Sequence, residues 1–300
     1  MDRDGGVPSI ANLDVFTTAV AGLALARAKA QPALLDRLCG YLITQQTPDG
    51  GWTFGESMGH SDVDTTSYVV ACLATVAPAR HQPALADAAE YLRGIVGEDG
   101  GFPTYTRGDP SEAGMTGGAL SALTGAGGQD TGLLRGAGRW LLDAQHPDGT
   151  FERSWSLSEA NTIWRAMEAL DSLPDTTRTP LAERIDRASD AAARFLTEAQ
   201  NSDGGWGYRP GDPSDTTSTC YSLLALSATG RHVTENPVVR DGVEHLLSRQ
   251  EREGGFTALL DQVAPRPLLF DAPVFADIWA LLALAACDGG TRHTRTGLEP

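Results

Sequence analysis

The stretch Gln46-Thr-Pro-Asp-Gly-Gly-Trp52 recurs, with small changes, along the 300-residue chain. Later copies run from Val96 to Phe102, Gln145 to Phe151, Gln200 to Trp206 and Gln250 to Phe256. Their acidic residues stand at positions 49, 99, 148, 203 and 253, so the period is near 50 residues. A period of this length predicts a stacked or closed array of one supersecondary unit, in which each copy buries its apolar face against its neighbours.

The segments on either side of each copy have the apolar spacing of helices. Before the turn come the amphipathic stretches 34–46, 133–145 and 238–250. The Asp-Gly-Gly that follows is a helix stop and a tight turn. After it, a second helix can be aligned in six copies by its terminal leucine, which is Leu25, Leu73, Leu123, Leu170, Leu226 or Leu284. We therefore expect an all-α fold of about six helical hairpins with about 11 helices.

Composition narrows the classes of function. With 23 Lys and Arg against 39 Asp and Glu, the formal net charge is −16, which argues against binding to a nucleic acid backbone. The chain shows neither a signal peptide nor an apolar run of about 18 residues. Its four cysteines are far apart and lack the spacing of a zinc site. We expect a reduced, cytoplasmic protein with no metal site of its own.

An internal comparison predicts which residues face the centre if the second helices close into a ring. Eleven residues before each terminal leucine lie Asp14, Asp62, Glu112, Glu159, Asp215 and Pro273, and acids suit a helix N-terminus. Counted from there, positions +10 (small) and +11 (Leu) pack against neighbours, while +2 and +6 lie about half a turn away. The +2/+6 pairs are Phe16/Val20, Asp64/Tyr68, Gly114/Gly118, Asn161/Arg165, Thr217/Tyr221 and Phe275/Trp279.

Asp64 is the only acid at position +2 in any copy. An unpaired carboxylate is costly to bury in an apolar cavity, so we expect burial to hold Asp64 protonated, which suits a general acid. Asp62 stands instead at the acidic position of the repeat, on the side that packs against neighbours.

The Gln-x-x-Asp-Gly-Gly-Trp segments resemble the QW repeats of squalene–hopene cyclases and the wider terpene cyclase/prenyltransferase β-subunit superfamily, over roughly residues 9–288. The resemblance implies a closed α/α toroid, with inner and outer rings of helices around a central cavity. We therefore expect residues 1–300 to form a single domain with a tail at 289–300. It also implies that Gln46, Trp52, Gln200 and Trp206 tie helices together.

Class II terpene cyclases carry a D-x-D-D motif whose middle Asp protonates an alkene or an epoxide. Asp62-Val63-Asp64-Thr65 matches its first three positions, with Thr65 in place of the last Asp. By this resemblance Asp64 is the general acid and Asp62 supports it. Aromatic faces stabilise the carbocations that follow without offering a nucleophile. The candidate aromatics are Tyr68, Trp155, Trp164, Tyr221, Phe275 and Trp279.

Arg165, a cation at a lumen position, has two interpretations. It binds an anionic tail of the substrate such as a diphosphate, with Mg²⁺ as a possible companion, or it pairs with an acid such as Glu159 or Glu168. Both interpretations stay open at the level of the sequence.

Three hypotheses for the function follow. The first is a protonation-initiated terpene cyclase that acts on a linear isoprenoid in the central cavity. The second is a non-catalytic isoprenoid-binding or protein-interaction toroid, and the third is a toroid enzyme of unrelated chemistry that uses the same acid. Full class II cyclases place a second helical domain over the cavity. We therefore expect either that the substrate is small or that a second chain, or another copy of this chain in a homo-oligomer, covers the mouth. Loops 103–111, 207–214 and 257–273 are candidates for partial lids.

Overall fold

The computed structural model describes residues 13–56, 59–128, 130–153, 155–231, 236–259, 261–262, 269–270 and 273–288. The inner helices are α1 (Asp14–Arg27), α3 (Val63–Val76), α5 (Ala113–Gly125), α7 (Glu159–Ser172), α10 (Thr216–Ala228) and α12 (Pro273–Cys287). The outer helices are α2 (Pro32–Thr44), α4 (Pro78–Ile95), α6 (Thr131–Ala144), α9 (Ala182–Glu198) and α11 (Pro237–Ser248). Smaller elements are α8 (Asp175–Arg178), a 3₁₀ turn (Thr179–Leu181), β1 (Asp261–Gln262) and β2 (Leu269–Phe270). The six inner and five outer helices are those that the repeat predicted.

The inner helices close into a ring. Each packs against the next, from α1 through α3, α5, α7 and α10 to α12, and α12 returns to α1. Each outer helix contacts the inner helices that precede and follow it. The predicted α/α toroid is therefore confirmed.

Small residues at position +10 let the inner helices approach one another. Ala24, Cys72, Ala122, Ala169, Ala225 and Ala283 are all buried. The terminal leucines are buried in the four middle copies, but Leu25 and Leu284 are only partly buried. Their helices, α1 and α12, border the one junction that no outer helix covers in the described residues.

The repeated glutamines and tryptophans are structural ties, as the resemblance implied. Gln46 Nε2 donates to Gly50 O at 2.9 Å, within its own turn, and to Ala84 O at 3.0 Å on the next outer helix. The indole of the buried Trp52 donates to Leu42 O at 2.7 Å. Gln145, Gln200 and Trp206 repeat these bonds in their own copies. Gly50 is needed in the turn because its φ is +88° and a Cβ there would lie 2.5 Å from Asp87 O.

We expect Gln200→Ala to destabilise the fold by about 1–3 kcal/mol. The substitution leaves the carbonyls of Gly204 and Val238 without their side-chain donor, and each of these bonds is 2.8 Å long. Gln250→Ala is the matched control, since the exposed Gln250 donates to Gly254 O alone among the described residues. Urea denaturation of both variants measures the difference. Equal losses of stability would show that the tie to the next outer helix contributes nothing.

The mouth of the toroid lies at the N-terminal ends of the inner helices, where the loop of each copy caps the inner helix of the copy before. Phe16 N donates to Phe54 O at 3.3 Å, Val63 N to Thr104 O at 3.0 Å and Glu159 N to Tyr208 O at 3.1 Å. Backbone N–H groups that a helix leaves unpaired are thereby satisfied. The predicted lid loops 103–111 and 207–214 therefore lie at the mouth, over the ends of α3 and α7.

One described residue of the third lid loop, Asp261, contacts another loop at the mouth. Asp261, at the start of its two-stranded ribbon, accepts from Leu157 N at 2.7 Å and from Ser156 Oγ at 3.0 Å. Because Ser156 and Leu157 precede α7 whereas the ribbon precedes α12, this contact passes over the end of α10. Pro265, Pro267 and Leu268 of the predicted lid lie outside the described residues.

The four cysteines are buried and free. Among the described residues, no helix combines the length and the hydropathy that a bilayer crossing requires.

Candidate active site

The predicted lumen stripe forms two layers along the central space that the inner helices enclose. At position +2, Phe16, Asp64, Asn161 and Phe275 are partly exposed. At position +6, Val20, Tyr68, Arg165, Tyr221 and Trp279 are buried. The lumen therefore opens at the mouth and is filled by side chains one helical turn below it.

An aromatic floor closes the lumen. It consists of Phe16, Tyr68, Trp164, Tyr221, Phe275 and Trp279, which come from five inner helices. Trp279 is its centre, with ring centroids 5.3 Å from Tyr221, 5.7 Å from Trp164 and 6.1 Å from Tyr68. Trp164 stacks on Tyr221 at 5.9 Å with an interplanar angle of 17°. Five of the six candidate aromatics thus come together, along with Phe16.

The sixth candidate, Trp155, lies elsewhere. It is at the rim of the mouth, where its Nε1 donates to Glu112 Oε2 at 2.9 Å and its ring meets Tyr105 edge-on at 6.1 Å. Thr104 Oγ1 also donates to Glu112, so this carboxylate joins the loop before α5 to the loop before α7. Trp155 therefore belongs to the rim and not to the aromatic floor.

Asp64 lies at the mouth, one turn above the floor. It is the second residue of α3, and its side chain is 23% exposed. The expectation of an unpaired, buried carboxylate is wrong, because Arg165 Nη1 donates to Asp64 Oδ1 at 2.6 Å. The guanidinium also lies 4.5 Å from the ring centroid of Tyr68, so it occupies one face of that floor residue.

Arg165 pairs with an acid other than the two that the sequence analysis considered. Its partner is Asp64 and not Glu159 or Glu168. Glu168, one turn further along α7, pairs at 2.6 Å with Arg27 of α1. Since α1 and α7 are opposite one another in the ring, this second pair crosses the closed end of the lumen.

Asp62 has the packed position that the repeat predicted. It is the N-cap of α3, where Oδ1 accepts from Thr65 N at 2.6 Å, and only 3% of the residue is exposed. Burial raises the pKa of Asp62 to about 7. Asp215 repeats this geometry as the N-cap of α10, and burial raises its pKa to about 6. Asp14 does not, because it is the first residue inside α1 and Leu13 is the N-cap.

The raised pKa of Asp62 predicts a pH-dependent stability. Because the folded protein holds this proton up to about pH 7 and the unfolded chain only to 3.8, stability falls as the pH rises between these values. Asp62→Asn keeps a cap acceptor but removes the buried charge, so we expect it to stabilise the protein at pH 8 by on the order of 2 kcal/mol. Thermal melts at pH 5 and pH 8 measure this. Asp130→Asn, at the exposed N-cap of α6, is the control that keeps the wild-type pH dependence. A melting temperature that falls equally at both pH values in Asp62→Asn would contradict the argument.

Sequence reasoning missed three residues of the site. Phe16 stood in the lumen stripe but was not taken as a candidate, although its position was sufficient to find it. Glu112 was interpreted as a helix-terminal acid, whereas its carboxylate holds Trp155. Tyr105, 41% exposed on a rim loop, has no periodic signal at all.

No group of three or more His, Cys, Asp or Glu side chains among the described residues is arranged to hold a metal ion. A surface groove of about 410 Å³ beside α4, lined in part by Tyr91 and Arg107, contains none of the predicted site residues.

Comparison with known proteins agrees with the fold. Drimenyl diphosphate synthase of Streptomyces showdoensis is 42% identical over 282 residues, which cover 94% of this chain and 52% of that protein. The chain spans about half the length of the curated relatives that it matches.

Two solved structures share the fold. The ent-copalyl diphosphate synthase from Streptomyces platensis has a TM-score of 0.75 at 24% identity, and the alignment covers 95% of this chain and 53% of that one. The type II terpene cyclase MstE from Scytonema has a TM-score of 0.72 at 17% identity and covers 95% of this chain and 92% of its own. Residues 4–264 match the family described as the prenyltransferase alpha-alpha toroid domain, and the chain belongs to that family.

Proposed function

We propose that this toroid carries the acid of a class II terpene cyclase, which starts the cyclisation of a linear isoprenoid by protonating a terminal C=C bond. The observation that carries the proposal is the position of Asp64, the only acid at the +2 and +6 positions of the inner helices, at the open mouth directly above an aromatic floor. The relatives named drimenyl diphosphate synthase support it and favour an isoprenoid diphosphate as the substrate.

The reaction follows from the two layers of the lumen. Protonated Asp64 gives its proton to the terminal alkene, a C–H bond forms, and the positive charge moves to the more substituted carbon. Internal double bonds of the substrate then attack in turn, and the last cation gives up a proton to water, which forms a C=C bond and ends the sequence. Asp64, left as a carboxylate, takes a new proton from solvent at the partly exposed mouth, so no atoms are gained or lost overall.

The aromatic floor has a distinct task in this proposal. Its rings offer π faces to the cation, each worth about 0.5–2 kcal/mol. Packing keeps water out from below, since Trp164, Tyr221 and Trp279 are each 5% exposed or less. We assign the first contact with the cation to Phe16 and Phe275, which are partly exposed at the edge of the floor.

The mouth needs a cover during the reaction, and we propose that a second helical chain or another copy supplies it. Apolar side chains at the mouth support this, with Tyr105 41%, Val274 50% and Leu259 56% exposed. Mg²⁺, if required, would be brought by the diphosphate oxygens of the substrate, since the described residues offer no metal cluster.

One observation favours the non-catalytic alternative. In the structure the carboxyl group of Asp64 is engaged in an ion pair with Arg165 at 2.6 Å. A toroid that only binds an isoprenoid or a protein partner would tolerate this pair permanently.

Incubation of the purified protein with farnesyl and geranylgeranyl diphosphates and with polyprenols, with and without Mg²⁺, tests the proposal. We expect cyclised products that retain the diphosphate, detected by mass spectrometry before and after phosphatase treatment. Tight binding of these compounds without any turnover would favour the alternative.

A further inference from the structure

The ion pair between Arg165 and Asp64 depends on free space on the lumen side of α5. Arg165 belongs to α7 and Asp64 to α3, and α5 stands between these two helices. A side chain that joins α7 to α3 must therefore pass in front of α5.

Two adjacent glycines of α5 provide the passage. A Cβ at Gly118 would lie 2.0 Å from Arg165 Nη2, and a Cβ at Gly117 would lie 2.6 Å from Arg165 O. Gly117 thus lets the two helix backbones approach, and Gly118 leaves room for the guanidinium. The side chain of Arg165 is only 7% exposed along this path.

The passage brings a cation to one oxygen of the carboxyl group. Arg165 donates to Oδ1 of Asp64, which leaves Oδ2 as the atom that can carry a transferable proton. The positive charge of Arg165 lies against the carboxylate that remains after transfer, and a charge-assisted hydrogen bond stabilises it. The same cation therefore acts on the carboxyl group both before and after the proton is transferred.

We propose that Gly117 and Gly118 leave the space through which the side chain of Arg165 reaches Asp64. In this proposal Arg165 is the positioning residue that sets how readily Asp64 takes up its proton and gives it to the substrate. The inference rests on the proposed function for its kinetic readout. It assigns to Arg165 a task other than binding the anionic tail of the substrate.

Other groups around Asp64 do not duplicate this cation. On α3 itself, Asp62 and Tyr68 are neighbours, and α7 adds Glu168 below Arg165. The rim contributes Tyr105 and Glu112. At this height α1 presents Phe16, and α5 presents Gly114, so Arg165 is the one cation paired with Asp64 among the described residues.

Three variants test the inference through the pH dependence of cyclisation. Arg165→Gln removes the charge, and Gly118→Ala keeps the charge but displaces the flexible end of the side chain. In both we expect the alkaline limb of activity to move upward by about one pH unit and the maximal rate at acidic pH to fall about tenfold. Arg165→Lys should restore part of the wild-type profile. Gly125→Ala, on the same helix with only an ordinary contact at 3.8 Å, should leave the profile unchanged.

A second readout separates failure of the inference from failure of the proposed function. In protein labelled with ¹³C-aspartate, the carboxyl signal missing from Asp64→Asn identifies Asp64, and its titration is followed in each variant. A higher midpoint in Arg165→Gln and Gly118→Ala supports the inference even if no substrate is turned over. An unchanged midpoint in folded variants, or a rate loss that is uniform across pH, would overturn it.

Discussion

Asp64→Asn is expected to reduce the rate of cyclisation by about 10³-fold or more, because the amide has no acidic proton to give and general acid catalysis is worth about 10²–10⁴. The shape of the side chain is kept, so the aromatic floor beneath it should remain packed. Product formation under single-turnover conditions, measured at the pH optimum of the wild type, checks the prediction.

The control for this loss of activity is a carboxylate that also pairs with an arginine but lies outside the lumen. Asp143 on the outer helix α6 pairs with Arg184 at 2.6 Å, the same distance as Asp64 and Arg165, and is exposed to solvent. Asp143→Asn should retain full activity. Binding of the substrate should survive in Asp64→Asn, and wild-type activity in that variant would remove Asp64 from the mechanism.

Trp279→Ala is expected to destabilise the toroid by about 3–5 kcal/mol, the usual cost of truncating a large aromatic in a core. Trp279 is 5% exposed and contacts four other rings of the floor, from Tyr68 on α3 to Tyr221 on α10. Its removal therefore leaves a cavity that α12 alone cannot fill. Thermal and urea denaturation measure the loss, and the product profile reports whether a deeper lumen changes the folding of the substrate.

Trp140→Ala is the matched control, because it removes the same type of side chain from a position outside the aromatic floor. Trp140 lies on the outer helix α6, partly exposed, and its indole donates to Asp99 Oδ2 at 2.9 Å. We expect a markedly smaller loss of stability there, with no change in products. A loss equal to that of Trp279→Ala would show that the floor is not the centre of the fold.

Periodicity was sufficient to predict the helical hairpins and the residues that would line a lumen, whereas closure into a ring was implied by the resemblance to the cyclase repeats. Glycine turns near every 50 residues marked the hairpins, and the offset of about half a turn between the +6 and +11 positions placed Tyr68, Tyr221 and Trp279 in the lumen. The same offset separated Asp62, now an N-cap, from Asp64, which faces the mouth. These conclusions need only the 3.6 residues per turn of a helix and the pattern of apolar residues, both of which can be read from a local segment of sequence.

The contacts between side chains far apart in sequence were decided by the tertiary structure. Nothing in the spacing indicated that Arg165 would meet Asp64, 101 positions away, or that Gly118 would leave the room for it. Nor did periodicity show that Trp155 would be held at the rim by Glu112 while Trp164 entered the floor. The sequence by itself determined which face of each helix points inward, because that depends on local periodicity. Only the closed ring decided which inward side chains touch, because ring closure sets the distances between helices that are not neighbours along the chain.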